Sequence, residues 1–109
     1  MIFVVETEER TLYAFESEAA AVASCEALDV EAAIWLFWAN DGTPLEPVFT
    51  TPNKRGLLSV KNGTYHLQPT QGVHHAHLSE AVDEVLNFEA MGSLSSPEAV
   101  KAHLASSRA

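Results

Sequence analysis

The chain has 109 residues, 47% of them hydrophobic, and carries fifteen acids against six Lys and Arg for a formal net charge of −9. That length and apolar share specify a packed core rather than disorder, and the expectation is a single domain over 1–109. The negative balance speaks against nucleic acid and anionic membrane as direct partners, because phosphate binding needs clustered Lys and Arg.

Ile2, Phe3, Val4 and Val5 open the chain as an apolar run, and residues 11–15 repeat the pattern after a short polar connection. This reads as a hairpin. Ser17 is a fitting N-cap for a helix over 18–28, with Ala21, Cys25 and Leu28 spaced along one stripe. Residues 32–39 form the strongest strand signal: Ile34, Leu36 and Trp38 point one way, and Ala33, Trp35 and Phe37 the other. A strand apolar on both faces belongs at the centre of a covered sheet. The alternative is that one face, with its tryptophan, docks a partner.

Asn40, Asp41, Gly42 and Thr43 spell a turn, and residues 44–49 return as a strand that Pro47 assigns to a sheet edge. Asn62-Gly63 between residues 57–61 and 64–68 predicts a two-residue hairpin, with Lys61 opposite Thr64 and Val60 opposite Tyr65. Leu78, Val82, Val85 and Leu86 follow helical spacing. A last helix begins at Ser96-Pro97, with Val100 and Leu104 as its anchors. The fold class expected is α+β: a mostly antiparallel sheet of five to six strands with three helices covering it.

Charge is segregated along the chain. Residues 1–46 hold ten of the acids and a single base, Arg10; residues 47–79 hold no acid, but Lys54, Arg55, Lys61 and four histidines. Glu26, Asp29 and Glu31 surround the junction between the first helix and the central strand, and Asp41 and Glu46 flank the next turn. Gathered beside Trp35 or Trp38, these carboxylates would make an acidic patch around an aromatic anchor, the usual anatomy of a tight interface.

Chemistry is less well supported. Cys25 is the lone cysteine, which excludes an intrachain disulfide, and its apolar neighbours mark a buried hydrophobe rather than a nucleophile. His74, His75 and His77 are the candidate metal cluster, and a zinc hydrolase built on them is the alternative function. Three histidines within four residues do not by themselves set a ligand geometry, however, and no His-Glu-x-x-His or Cys-x-x-Cys accompanies them. No phosphate loop is present, and no cofactor is expected. No leader pattern and no apolar run of about 20 residues is seen, so the expected location is cytoplasmic.

A small, acidic, cysteine-poor α+β chain of this kind, with Ile34-Trp35-Leu36-Phe37-Trp38-Ala39-Asn40-Asp41-Gly42-Thr43-Pro44-Leu45-Glu46-Pro47-Val48-Phe49 followed by Asn53-Lys54-Arg55-Gly56, resembles the immunity proteins that bacteria pair with secreted polymorphic and contact-dependent toxins. The resemblance implies a non-enzymatic, stoichiometric inhibitor that covers the active site of a basic nuclease domain. The contacts expected on this reading are Glu26, Asp29, Glu31, Trp35, Trp38, Asp41 and Glu46, in a monomer or homodimer. A homodimeric structural protein using the second face of the central strand is the remaining alternative.

Overall fold

The structure, a computed structural model, describes residues 1–55, 60–61, 63–70, 75–89, 92 and 94–107. It is an α+β fold: a six-stranded, mostly antiparallel mixed sheet with helices on both faces. The strands are β1 (Ile2–Glu6), β2 (Thr11–Phe15), β3 (Trp35–Trp38), β4 (Pro44–Thr51), β7 (Thr64–Pro69) and β8 (Asn87–Glu89), in the order β7-β4-β3-β1-β2-β8. A separate two-stranded ribbon joins β5 (Lys54–Arg55) to β6 (Val60–Lys61).

Alternation sorts the side chains into two cores. On one face Val4, Phe37, Leu45 and Tyr65 pack under α1 (Glu18–Ser24) and α2 (Ala27–Glu31), which contribute Ala21, Ala27 and Val30, with Cys25 between the two helices. On the other, Phe3, Val5, Leu12 and Trp38 pack under α3 (Leu78–Ala81), the 3-10 turn Val82–Glu84 and α4 (Pro97–Ser107). Two covered faces explain why β3 is apolar throughout. The caps follow their chemistry: the Ser17 hydroxyl accepts the Ala20 N–H (3.1 Å), and the Ser96 hydroxyl accepts the Ala99 N–H (3.2 Å).

Four local expectations are corrected. The helix over 18–28 is two helices, because Cys25 leaves helical geometry at φ −109°, ψ 105° and its carbonyl accepts the Tyr65 hydroxyl (2.7 Å). Leu86 does not share the stripe of Leu78, Val82 and Val85. The chain extends at Val85 (ψ 132°), leaves Leu86 69% exposed, and enters β8, a short parallel strand that periodicity did not reveal.

Pro47 lies in β4, between β3 and β7, not on an edge strand. Its missing N–H still has a consequence. The β3–β4 ladder pairs Trp38 with Pro44 and Phe37 with Leu45, and Ala39 donates to the Thr43 carbonyl (2.8 Å), so the next hydrogen-bonded position would bring Pro47 opposite Trp35. Proline cannot donate there, and the ladder stops. The outer edge of β7 is blunted as well: the Leu67 N–H donates to the Glu18 carboxylate (2.7 Å).

The described residues of the Asn62-Gly63 hairpin pair elsewhere; Asn62 itself, with residues 57–59, lies outside the described residues. Val60 and Lys61 pair with Arg55 and Lys54, while Thr64, Tyr65 and His66 pair with Thr51, Phe49 and Val48. Gly63 is needed for close approach instead. Its N–H donates to the Asn53 carboxamide (2.6 Å), and a Cβ there would overlap the Thr51 carbonyl oxygen. Gly63→Ala is therefore expected to lower the midpoint of urea denaturation, by about 1–3 kcal/mol in stability at unchanged m-value. A wild-type midpoint would show that the approach relaxes freely.

Candidate functional site

The end of the sheet where β1 finishes and β2 and β3 begin gathers both charge and aromatic surface. Glu6 pairs with Trp35 across β1–β3 and with Thr11 across β1–β2, while Tyr13 pairs with Val4 and with Glu89 of β8. Residues directly opposite one another share a face, so Glu6, Tyr13, Trp35 and Glu89 project on the same side of the sheet. The Tyr13 and Trp35 rings meet at 5.9 Å and 58°, and Phe15 stacks on Tyr13 at 6.4 Å and 24°. All three aromatics are only half-buried.

The connections bring further acids to this end. In the β1–β2 turn, the Glu6 carboxylate accepts the Glu8 and Glu9 N–H groups (3.1 and 2.8 Å), and Glu8 and Glu9 are exposed. Thr7 ties the turn to the α2–β3 junction: its N–H donates to the Ile34 carbonyl (2.8 Å), and its hydroxyl lies within reach of the Ala33 and Ile34 carbonyls (3.2 and 3.0 Å). Ala33 turns the chain at φ 59°, and the Ile34 N–H donates to the Asp29 carbonyl (3.0 Å). The C-terminal end of α2 thus adjoins the Glu6–Glu9 turn. The electrostatic effect registers on the Tyr13 phenol, raised above its ordinary value by desolvation first, then by Glu89, Glu9 and Glu6.

The seven residues read from the sequence divide. Glu26, Asp29, Glu31 and Trp35 lie on α2, its approach and the start of β3. Glu31 is exposed, and its carboxylate accepts from the Asn53 carboxamide (3.2 Å). Trp35 flanks the gap where β3 and β4 part, a cleft of about 200 Å³ also lined by Pro47 and Phe49, and its indole nitrogen is buried with no hydrogen-bond partner among the described residues.

Trp38 is 1% exposed, with its indole N–H on the Ala76 carbonyl (2.8 Å), and so cannot reach a partner. Asp41 sits at the opposite end of β3, where it accepts the Thr43 N–H (2.9 Å); these bonds to Thr43 hold its carboxyl below the ordinary value. Glu46 accepts from the Gln68 carboxamide (3.1 Å) on the far side of β4 from Leu45. Glu6, Glu9, Tyr13 and Glu89 were not singled out from the sequence. Strand alternation identifies Glu6 and Tyr13 once the hairpin register is fixed, but the β2–β8 pairing leaves no local sign.

His75 and His77 serve the fold. His75 donates through Nε2 to the Phe37 carbonyl (2.9 Å) and meets the Trp38 ring edge-on at 4.9 Å. His77 caps α3, accepting the Ser79 N–H at Nδ1 (3.1 Å), and its ring fills the space that the missing Cβ of Gly42 leaves. His74 lies outside the described residues. Among the described residues, no three His, Cys, Asp or Glu side chains are arranged to hold a metal ion. Burial, with help from Asp29, pushes the Cys25 thiol up to about 12, which leaves no thiolate for chemistry at neutral pH. No helix among the described residues is long and apolar enough to cross a membrane. No family model, curated protein or solved structure matches the chain.

Proposed function

We propose that the chain is an immunity protein, an inhibitor that binds a basic, nuclease-type toxin domain and blocks it by occupancy rather than by chemistry. The observation that carries this reading is the half-buried Tyr13–Trp35 pair set among Glu6, Glu9 and Glu89. An aromatic centre supplies contact area at little entropic cost, and a carboxylate rim steers and orients a cationic partner. Glu26, Asp29 and Glu31 extend the same negative field along α2. Carboxylates at such a face stand in for the phosphates that a basic nuclease cleft is built to hold.

Co-expression with the C-terminal domain of any large secreted protein whose reading frame adjoins this one tests the reading. The expected result is a 1:1 complex on size exclusion and restored growth of cells making the toxin. Toxicity that persists without complex formation would remove the proposal. A zinc hydrolase has no comparable support, since His75 and His77 are engaged by different elements.

A further inference from the structure

The Tyr13–Trp35 face also indicates which side chain of a partner it receives. Three features converge on it. Two rings of different orientation meet across β1, so aromatic surface lies beside Glu6 rather than in a sealed core. Exposed Glu89 of β8 pairs with Tyr13, and exposed Glu9 lies in the β1–β2 turn with its N–H on the Glu6 carboxylate, so the two acids flank the rings from separate elements. The single base of this half of the chain, Arg10, lines a cavity on the other side of the sheet with Val5, Trp38 and Val85. Cation-attracting rings therefore stand beside Glu6 and Glu89 on one face of the sheet, with Glu9 in the adjoining turn.

Of the two long cations, arginine fits better. Its guanidinium is planar and weakly hydrated, stacks on aromatic faces, and offers a fork of N–H donors that matches a carboxylate. An ammonium is a compact, strongly hydrated point charge and gains less from a ring. We infer that this face holds an arginine side chain of the partner, its guanidinium against the Tyr13–Trp35 rings and its N–H groups on Glu9 and Glu89. The partner's identity as a toxin rests on the inhibitor reading; the preference for arginine does not.

The two tryptophans make the test direct. In the ¹⁵N-labelled full chain, the Trp38 indole N–H is hydrogen-bonded and buried, whereas that of Trp35 has no acceptor among the described residues, so the two give separate signals assignable with Trp35→Phe. Titration with a hexa-arginine peptide is expected to shift the Trp35 indole and Tyr13 amide signals and leave Trp38 in place. A hexa-lysine peptide should bind at least threefold more weakly. The exposed pair Glu9→Gln and Glu89→Gln, which should leave folding intact, should weaken hexa-arginine binding at least fivefold. A motionless Trp35 signal at saturation, equal binding of the two peptides, or wild-type affinity in the double variant would each overturn the assignment. A toxin complex that survives in the double variant at wild-type affinity would remove the arginine contact and leave the inhibitor reading standing; hexa-arginine binding with no toxin complex would do the reverse.

Discussion

Trp38→Ala is expected to cost about 3–5 kcal/mol of stability, the range for truncating a large aromatic in a core. Trp38 is 1% exposed and packs with Phe3, Val5 and Leu12 of the sheet beneath Leu78, Val82, Val100 and Leu104 of the helical layer. Truncation opens a cavity between those layers, and it also leaves the Ala76 carbonyl without the indole N–H that ties residues 75–77 to β3. Small domains carry about 5–15 kcal/mol in total, so the loss is a large share. Far-UV circular dichroism during urea denaturation reads it. Trp35→Ala is expected to cost less than half as much, since that ring is half-buried and its N–H has no acceptor among the described residues, yet to abolish the response to hexa-arginine. Equal destabilisation by the two variants would make Trp35 a core residue and end its role as an anchor.

This contrast shows where the amino-acid pattern is informative. Alternation and turn chemistry place the β1–β2 hairpin, the central position of β3, the Asp41-Gly42 turn and the Ser96 cap, because each depends on residues close in sequence. They cannot choose between Trp35 and Trp38. Both lie on a strand covered on its two faces, and only the stop in the β3–β4 ladder opposite Pro47 leaves one of them near the surface. The Asn62-Gly63 signal misleads for a related reason. A dipeptide favouring a tight turn yields to the long β4–β7 pairing, in which Tyr65 fills the core and reaches the Cys25 carbonyl. Acids close in sequence are likewise separated in space: Asp29 on α2 and Asp41 in the β3–β4 turn lie at opposite ends of β3, while Glu89, far away in the chain, comes to the same sheet face as Glu6 through its pairing with Tyr13.

Charge reversal at Glu8 and Glu26 is expected to slow association with the proposed basic toxin domain about tenfold at low salt, with little change in the dissociation rate. Both residues are exposed, on the Glu6–Glu9 turn and at the entry to α2. Each Glu→Lys change adds two charge units, so the pair takes the formal net charge from −9 to −5. Steering acts on the approach of the partners and is screened over a Debye length of about 10 Å at 0.1 M salt. The difference from wild type should therefore shrink as salt rises, as followed by stopped-flow mixing. Position separates local steering from bulk charge. Glu80→Lys with Glu98→Lys makes the same net change on α3 and α4, the layer across the sheet from the Tyr13–Trp35 rings. That pair should slow association no more than about threefold, because local potential governs the encounter more than the total does. Identical slowing by the two pairs would mean that the toxin senses overall charge alone, and the acidic end of the sheet would lose its claim to be the docking face.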